Sequence, residues 1–349
     1  MQGKLSFGAS LQPDSFNAML RRAMLMDKLG FDHVWVPDHL VFLEWGSWCF
    51  DAWCVLSGFA MKTEKIRLGT SVSDPYRRHP AIFAQTIGTL DSVSKGRVIV
   101  GLGAGEAQNL LPYSIQYDKK VSRMKECVTI MKRLWTGEMT DFNGRFYTLE
   151  KAFIQALPVQ KPHPPIYIAA NSPKTRELAG MIGDGWMAEM MSPKRYESDI
   201  EDVRRGAEKA ERRIEDMGIA YHAPLSVAGD REEAWRIIRR LSKSLFLWWP
   251  EQLKYYGYST TQEFDWRHLI IKQDTAKKIQ AQLDTVPEEV AEEIAIFGTP
   301  DNCIEKIQRY IDAGVTDFVF FMEFEDKSKA EKMLEITSKK IIPYFKEKE

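Results

Sequence analysis

A carboxylate and an imidazole stand side by side at Asp38-His39, directly after the apolar run His33-Val34-Trp35-Val36. Such a pair can handle protons, because histidine titrates near neutrality. It serves structure instead if Asp38 caps the segment that follows and His39 packs. A second carboxylate, Glu106, comes straight after Gly101-Leu102-Gly103-Ala104-Gly105. Glycines at alternating positions let a backbone come close to a ligand, although they also make ordinary tight turns. Thr70-Ser71-Val72-Ser73-Asp74-Pro75 is a small, polar stretch behind another apolar run. Asn171-Ser172-Pro173-Lys174 opens a helix, where free N–H groups suit an anion or simply receive a cap. Each of the four is weak alone. Together they are four apolar runs ending in polar or Gly-rich loops, and the carboxyl ends of parallel strands are where α/β proteins place chemistry.

The elements that must carry these loops follow a regular beat. Strands are expected at Leu5–Gly8, His33–Val36, Ile66–Thr70, Val98–Val100, Ile166–Ala170, Gly185–Met187, Ile219–Leu225 and Asp317–Phe321. Helices are expected at Phe16–Leu29, Ala52–Met61, Pro80–Val93, Lys119–Trp135, Pro173–Met181, Arg195–Met217, Glu232–Lys243 and from Pro300 to Ala313, with a last one ending near Phe345. A small hairpin turns at Asn143-Gly144. From Leu245 to Glu289 the beat breaks into an aromatic-rich excursion, either a helical addition packed on the fold or a wall over a substrate. Eight strands alternating with helices predict a TIM (β/α)8 barrel over residues 1–349 with a helical insertion at 245–289; a doubly wound open sheet is the alternative. A dinucleotide-binding Rossmann unit fits poorly, since the glycines come only after three earlier strands.

Composition narrows the function classes. The 349 residues are 44% hydrophobic and 28% charged with a net charge of −1, which gives no footprint for nucleic acid or a membrane surface. No apolar run is long enough to span a bilayer, and Met1-Gln2-Gly3-Lys4 lacks a secretory h-region. Cys49, Cys54, Cys127 and Cys303 are scattered without metal-ligand spacing, so a cytoplasmic protein with reduced thiols and no metal is expected. Ten tryptophans and fifteen methionines suit a core, and also a pocket for a flat aromatic ligand.

Several segments taken together resemble one family, the luciferase-like flavin and deazaflavin oxidoreductases. They are Trp35-Val36-Pro37-Asp38-His39, Arg67-Leu68-Gly69-Thr70-Ser71-Val72, His79-Pro80-Ala81 through Gln85 with Thr89-Leu90-Asp91, Gly96-Arg97-Val98 through Glu106, Ile168-Ala169-Ala170 and Gly183-Asp184-Gly185. Glu106-Ala107 followed by Asn109 resembles the branch that uses coenzyme F420, and the chain is similar to F420-dependent sugar-phosphate and secondary-alcohol dehydrogenases and to methylenetetrahydromethanopterin reductase. The resemblance implies a homodimeric barrel that transfers a hydride between the deazaflavin C5 and a small molecule. It implies His39 and Glu106 as proton-handling residues and Trp45 as a pocket wall, with Trp48 the alternative. It places Asp38, Ser71, Val72, Ser73, Gly103, Gly105 and Asn109 around the ring, with a non-prolyl cis bond at Ser71-Val72. Ala169, Ala170, Asn171 and Ser172 match the loop that holds the coenzyme phosphate. An FMN-dependent monooxygenase and a non-catalytic flavin-binding barrel are the other readings.

Overall fold

The computed structural model describes residues 5–42, 48–259, 264–322 and 328–347. The strands are β1 (Ser6–Ser10), β2 (His33–Val36), β3 (Arg67–Thr70), β4 (Val98–Leu102), the hairpin β5 (Thr140–Asn143) and β6 (Thr148–Ala152), β7 (Ile166–Ala169), β8 (Gly185–Glu189), β9 (Gly218–Val227), β10 (Ile296–Gly298) and β11 (Asp317–Phe321). Eight of them pair in parallel in the order β1, β2, β3, β4, β7, β8, β9, β11. The β11–β1 ladder then closes the ring. With no edge left open, the structure is a TIM barrel and not an open sheet. Burial on both faces explains why runs such as Val98-Ile99-Val100 are continuously apolar and not alternating.

Helices α1 (Phe16–Leu29), α2 (Ala52–Ala60), α3 (Pro80–Val93), α4 (Lys120–Leu134), α5 (Pro173–Ile182), α6 (Pro193–Lys209) and α7 (Arg231–Trp248) follow the strands around the outside. The short α8 (Pro250–Leu253), α9 (Thr275–Gln282) and α10 (Glu288–Ile294) belong to the excursion. The remaining helices are α11 (Pro300–Asp312), α12 (Ser328–Ile336) and α13 (Ile342–Lys346). Prolines at the first turns of α3, α5, α6 and α11 cost nothing there, since those N–H groups have no helical partner. The strand-to-helix layer forms the main core. Trp35, Ile99, Tyr167, Met187, Ala220 and Val319 fill the barrel interior. A third cluster, including Phe246, Trp248, Phe264, Ile279 and Val290, joins the excursion to Phe297 and Phe321.

Strand alternation carries the interior one layer further. Two residues beyond Trp35, Tyr167, Met187, Ala220 and Val319 stand Pro37, Ala169, Glu189, His222 and Phe321. With Ser10, Ser71 and Gly103 these give one residue from each strand end, and they line a cavity at the carboxyl mouth of the barrel.

Four expectations are corrected. The helix expected over Arg195–Met217 begins at Pro193 and stops at Lys209. Glu211 takes φ 56°, and the Arg212 guanidinium donates to the Gly183 carbonyl, which turns the chain inward. The helix expected to end at Lys243 continues to Trp248, because Phe246, Leu247 and Trp248 are buried on it. An extra strand, β10, pairs with Leu225–Val227 at the far end of β9; its three residues carry no readable period. The hairpin also turns through 144–147, with the Gly144 N–H on the Tyr147 carbonyl at 2.9 Å.

Candidate functional site

The cavity measures about 670 Å³ and gathers the loops that follow β2, β3, β4 and β7 around the eight-residue floor. His39, on the β2 loop, and Glu106, after β4, approach with Nδ1 and Oε2 3.6 Å apart. Asn109 organises them. Its Oδ1 accepts from the N–H groups of Leu40 and Val41 at 2.8 and 3.0 Å. The amide orientation is thereby fixed, and Nδ2 becomes a donor toward His39 Nδ1 at 3.1 Å and Glu106 Oε2 at 3.3 Å. A neutral His39 accepting at Nδ1 carries its proton on Nε2. A protonated one finds the Val41 carbonyl at 3.4 Å and the Glu106 carboxylate for its Nδ1–H. Gln108 Nε2 also donates to Glu106.

The neighbouring Asp38 is built differently. Its side chain is fully occluded, bridged to Arg78 Nη1 at 2.7 Å and Arg77 Nη2 at 3.2 Å. Burial pushes the Asp38 carboxyl upward, but the two guanidinium groups and the Ser73 hydroxyl hold it below the usual carboxylate range. Ser73 is fully buried behind the cavity wall: its hydroxyl donates to Asp38 at 2.6 Å and accepts from Trp53 Nε1 at 3.1 Å. Ser73 is therefore not brought to the cavity, and Asp38 reaches it with its carboxylate already engaged. Ser71 and Val72 do line it, joined by a cis peptide bond, with the Ser71 and Ser10 hydroxyls 2.9 Å apart. A Cβ on Gly103 would stand 2.4 Å from Val72 Cγ2, so the glycine keeps this wall flat. Gly105 takes φ 72°, which turns the chain toward Glu106.

On the opposite side, Ala169, Ala170, Asn171 and Ser172 lead into α5, whose first turn is closed by a reciprocal Ser172–Thr175 capping box. Asn171 Oδ1 accepts from the Glu189 N–H at 3.4 Å. Behind this loop, Arg176 is tied to Asp199 and Asp202 and donates to the Asn171 carbonyl at 2.9 Å. Arg195 lies 3.9 Å over the Tyr255 ring and shares Asp199, but its buried Nη1 has no partner.

The excursion forms a wall. Trp248, Trp249, Gln252, Tyr255 and Trp266 line the cavity. The Trp266 backbone is pinned on both sides, its N–H on the Trp248 carbonyl and its carbonyl taking the Ala107 N–H, each at 3.1 Å. Lys120 sits 3.9 Å over Tyr117 and 4.3 Å over Trp266. Burial, with the Arg267 charge adding to it, pushes its ammonium down to about 8.

Six buried side-chain polar atoms that lack a hydrogen-bond partner among the described residues belong to residues of this one cavity: Gln108, Arg195, His222, Trp248, Gln252 and Trp266. Burying such atoms unpaired is costly, so their concentration here marks a place shaped for a polar ligand. Trp45 lies outside the described residues. Trp48, the alternative wall, is 57% exposed, stacked on Phe50 and not part of the cavity. Sequence reading missed Arg77, Arg78, Gln108, Lys120, Glu189, Arg195 and His222. Strand alternation beyond Met187 and Ala220 was the signal that would have found Glu189 and His222. No group of three or more metal-ligating side chains occurs among the described residues.

Comparison with known proteins agrees with this architecture. The luciferase-like monooxygenase family matches residues 3–317. The F420-dependent glucose-6-phosphate dehydrogenase of Amycolatopsis mediterranei is 30% identical, with 97% of this chain and 98% of that one covered. The 5,10-methylenetetrahydromethanopterin reductase of Archaeoglobus fulgidus is 29% identical, covering 98% of this chain and all of the other. Among solved structures, the coenzyme F420-dependent tetrahydromethanopterin reductase of Methanopyrus kandleri superposes with a TM-score of 0.83 at 25% identity over 98% and 100% of the chains. An F420-dependent secondary alcohol dehydrogenase bound to an F420-acetone adduct gives 0.80 at 26% over 97% and 98%. With a match across most of its length and a closed barrel whose strand-end loops meet at one cavity, the chain belongs to the luciferase-like monooxygenase family.

Proposed function

We propose that the chain is a coenzyme F420-dependent oxidoreductase acting on a small organic substrate. The observation that carries this is one cavity lined together by His39, Glu106, Asn109, Val72, Gly103 and the residues of six unpartnered buried polar atoms. A full-length relative and two solved structures named for F420 support the same reading. The residues present fit the coenzyme. The wall at Gly103, which a Cβ would obstruct, admits a flat ring, while family resemblance gives the phosphate to residues 169–172 before α5, where the capping box already engages Ser172 and Thr175. Bound there, F420 would supply the carbon that accepts or gives up the hydride.

The chain's own work is orientation and proton handling. Asn109 sets the His39 tautomer, so the Nε2–H is available to a substrate oxygen or nitrogen that gains charge as hydride arrives. Glu106 compensates the imidazolium when His39 takes a proton up. Asp38, Ser73, Arg77 and Arg78 hold the β2 and β3 loops together from behind. Residues 245–289 act as an insertion that walls a barrel extending over 1–349. A cytoplasmic homodimer completes the reading, supported by four free thiols and by family resemblance respectively.

Titration of the purified protein with F420 and with FMN, followed by tryptophan fluorescence, tests the coenzyme. Tighter F420 binding is expected; preference for FMN would transfer the reading to a monooxygenase, checked by oxygen uptake. Bleaching of the coenzyme's visible band with secondary alcohols, glucose 6-phosphate or methylenetetrahydromethanopterin then selects the substrate. Glu106→Gln is expected to lower turnover about 100-fold with F420 affinity nearly unchanged; equal losses in both would remove Glu106 from proton handling.

A further inference from the structure

A second acid–imidazole pair stands across the cavity floor from His39 and Glu106. Glu189 ends β8 and His222 lies in β9, directly opposite each other in the ladder. His222 Nδ1 bonds the Glu189 carboxylate, which fixes the proton on Nδ1. The ring stacks on Phe321, with centroids 5.0 Å apart and planes 22° apart, so its plane is set as well as its tautomer. The remaining nitrogen, Nε2, is buried without a partner on a side chain only 7% exposed. An imidazole oriented on two sides and left unpaired at the third is poorly explained by packing alone: a buried acceptor without a donor costs stability, and an apolar residue would stack on Phe321 without that cost.

Resting on the F420 reading above, we propose that His222 Nε2 accepts a hydrogen bond from a ring-edge N–H or O–H of the bound coenzyme, with Glu189 positioning it. His222 lies two strands round the wall from Ala169, roughly 10 Å at a strand spacing of about 4.8 Å, within the span of a three-ring heterocycle laid on the Val72–Gly103 wall. Its place on the floor favours the coenzyme over a substrate, which would enter above the ring.

The test compares F420 affinity, by tryptophan fluorescence, in the wild type, His222→Phe and His222→Gln, with thermal midpoints as the check on folding. His222→Phe keeps the stack and loses the acceptor, and affinity should fall about tenfold. His222→Gln retains an acceptor and a donor for Glu189, and should stay within about threefold of the wild type. In wild-type protein carrying isotope-labelled histidine, the Nε2 resonance of His222 should move when F420 is added. An unchanged affinity in a folded His222→Phe, or an unmoved Nε2 resonance, overturns the proposal while leaving F420 binding intact. Failure of the wild type to bind F420 is a different result and sinks the coenzyme reading. FMN, which has the same imide N–H, then becomes the probe for the same two readouts, and binding of neither overturns both.

Discussion

Asn109 shows how much one side chain decides. With its carbonyl committed to the Leu40 and Val41 N–H groups, its amide nitrogen must face His39 and Glu106. Asn109→Asp keeps the shape, replaces a donor by an acceptor and sets a second carboxylate beside Glu106. The imidazole proton then shifts to Nδ1. Turnover should fall about 100-fold with F420 affinity within about threefold, measured by single-turnover bleaching of the coenzyme band. Unchanged turnover would remove the tautomer argument. Residues of this kind were legible because Asp38, His39 and Glu106 each follow closely on an apolar run. Arg77 and Arg78 were not, because their partner Asp38 lies about forty positions away and only the folded chain makes them neighbours. Arg78→Met should cost ~3–5 kcal/mol in chemical unfolding, since it leaves the buried Asp38 charge undercompensated.

Elements whose ends carry strong local signals were read to the residue. Helix α1 stops at Gly30 in the left-handed region, α3 starts on Pro80, and β2 fills His33–Val36, all as the sequence implies. Ends fixed by distant contacts were not legible. The Arg212–Gly183 bond truncates α6, and burial of Phe246 and Trp248 extends α7. The loop after β4 shows why an element can be easier to recognise than to modify. Gly103→Ala drives a methyl against Val72 in the turn after β3. A loss of ~1–3 kcal/mol is expected from thermal melts, together with at least about tenfold weaker F420 binding, because the wall is no longer flat. Retained affinity would mean that the ring does not rest there.

At the scale of the whole molecule, the barrel's amino-terminal end sets the response to acid. His33 is buried, takes the Trp35 indole N–H at 2.6 Å and meets the Ser6 hydroxyl at 3.1 Å. Burial, assisted by the Arg67 and Lys346 charges, depresses its pKa from 6.5 to about 3. Between those values the unfolded chain binds a proton that the folded one refuses, so stability falls as pH falls, by on the order of 4 kcal/mol over the window. Asp38, held low by its arginines, adds to the loss at the acid end, whereas Asp317, raised by burial, runs the opposite way there. Melting temperatures should drop steadily below about pH 6.5, and His33→Gln, less stable at neutrality, should show a shallower slope; parallel slopes would clear His33. The Trp266 carbonyl that takes the Ala107 N–H bears on how such a protein can be redesigned. The segment most open to exchange for new specificity is fastened one residue from Glu106. A graft of 245–289 from another barrel would therefore reset the acid along with the pocket, and selectivity and rate would have to be optimised together.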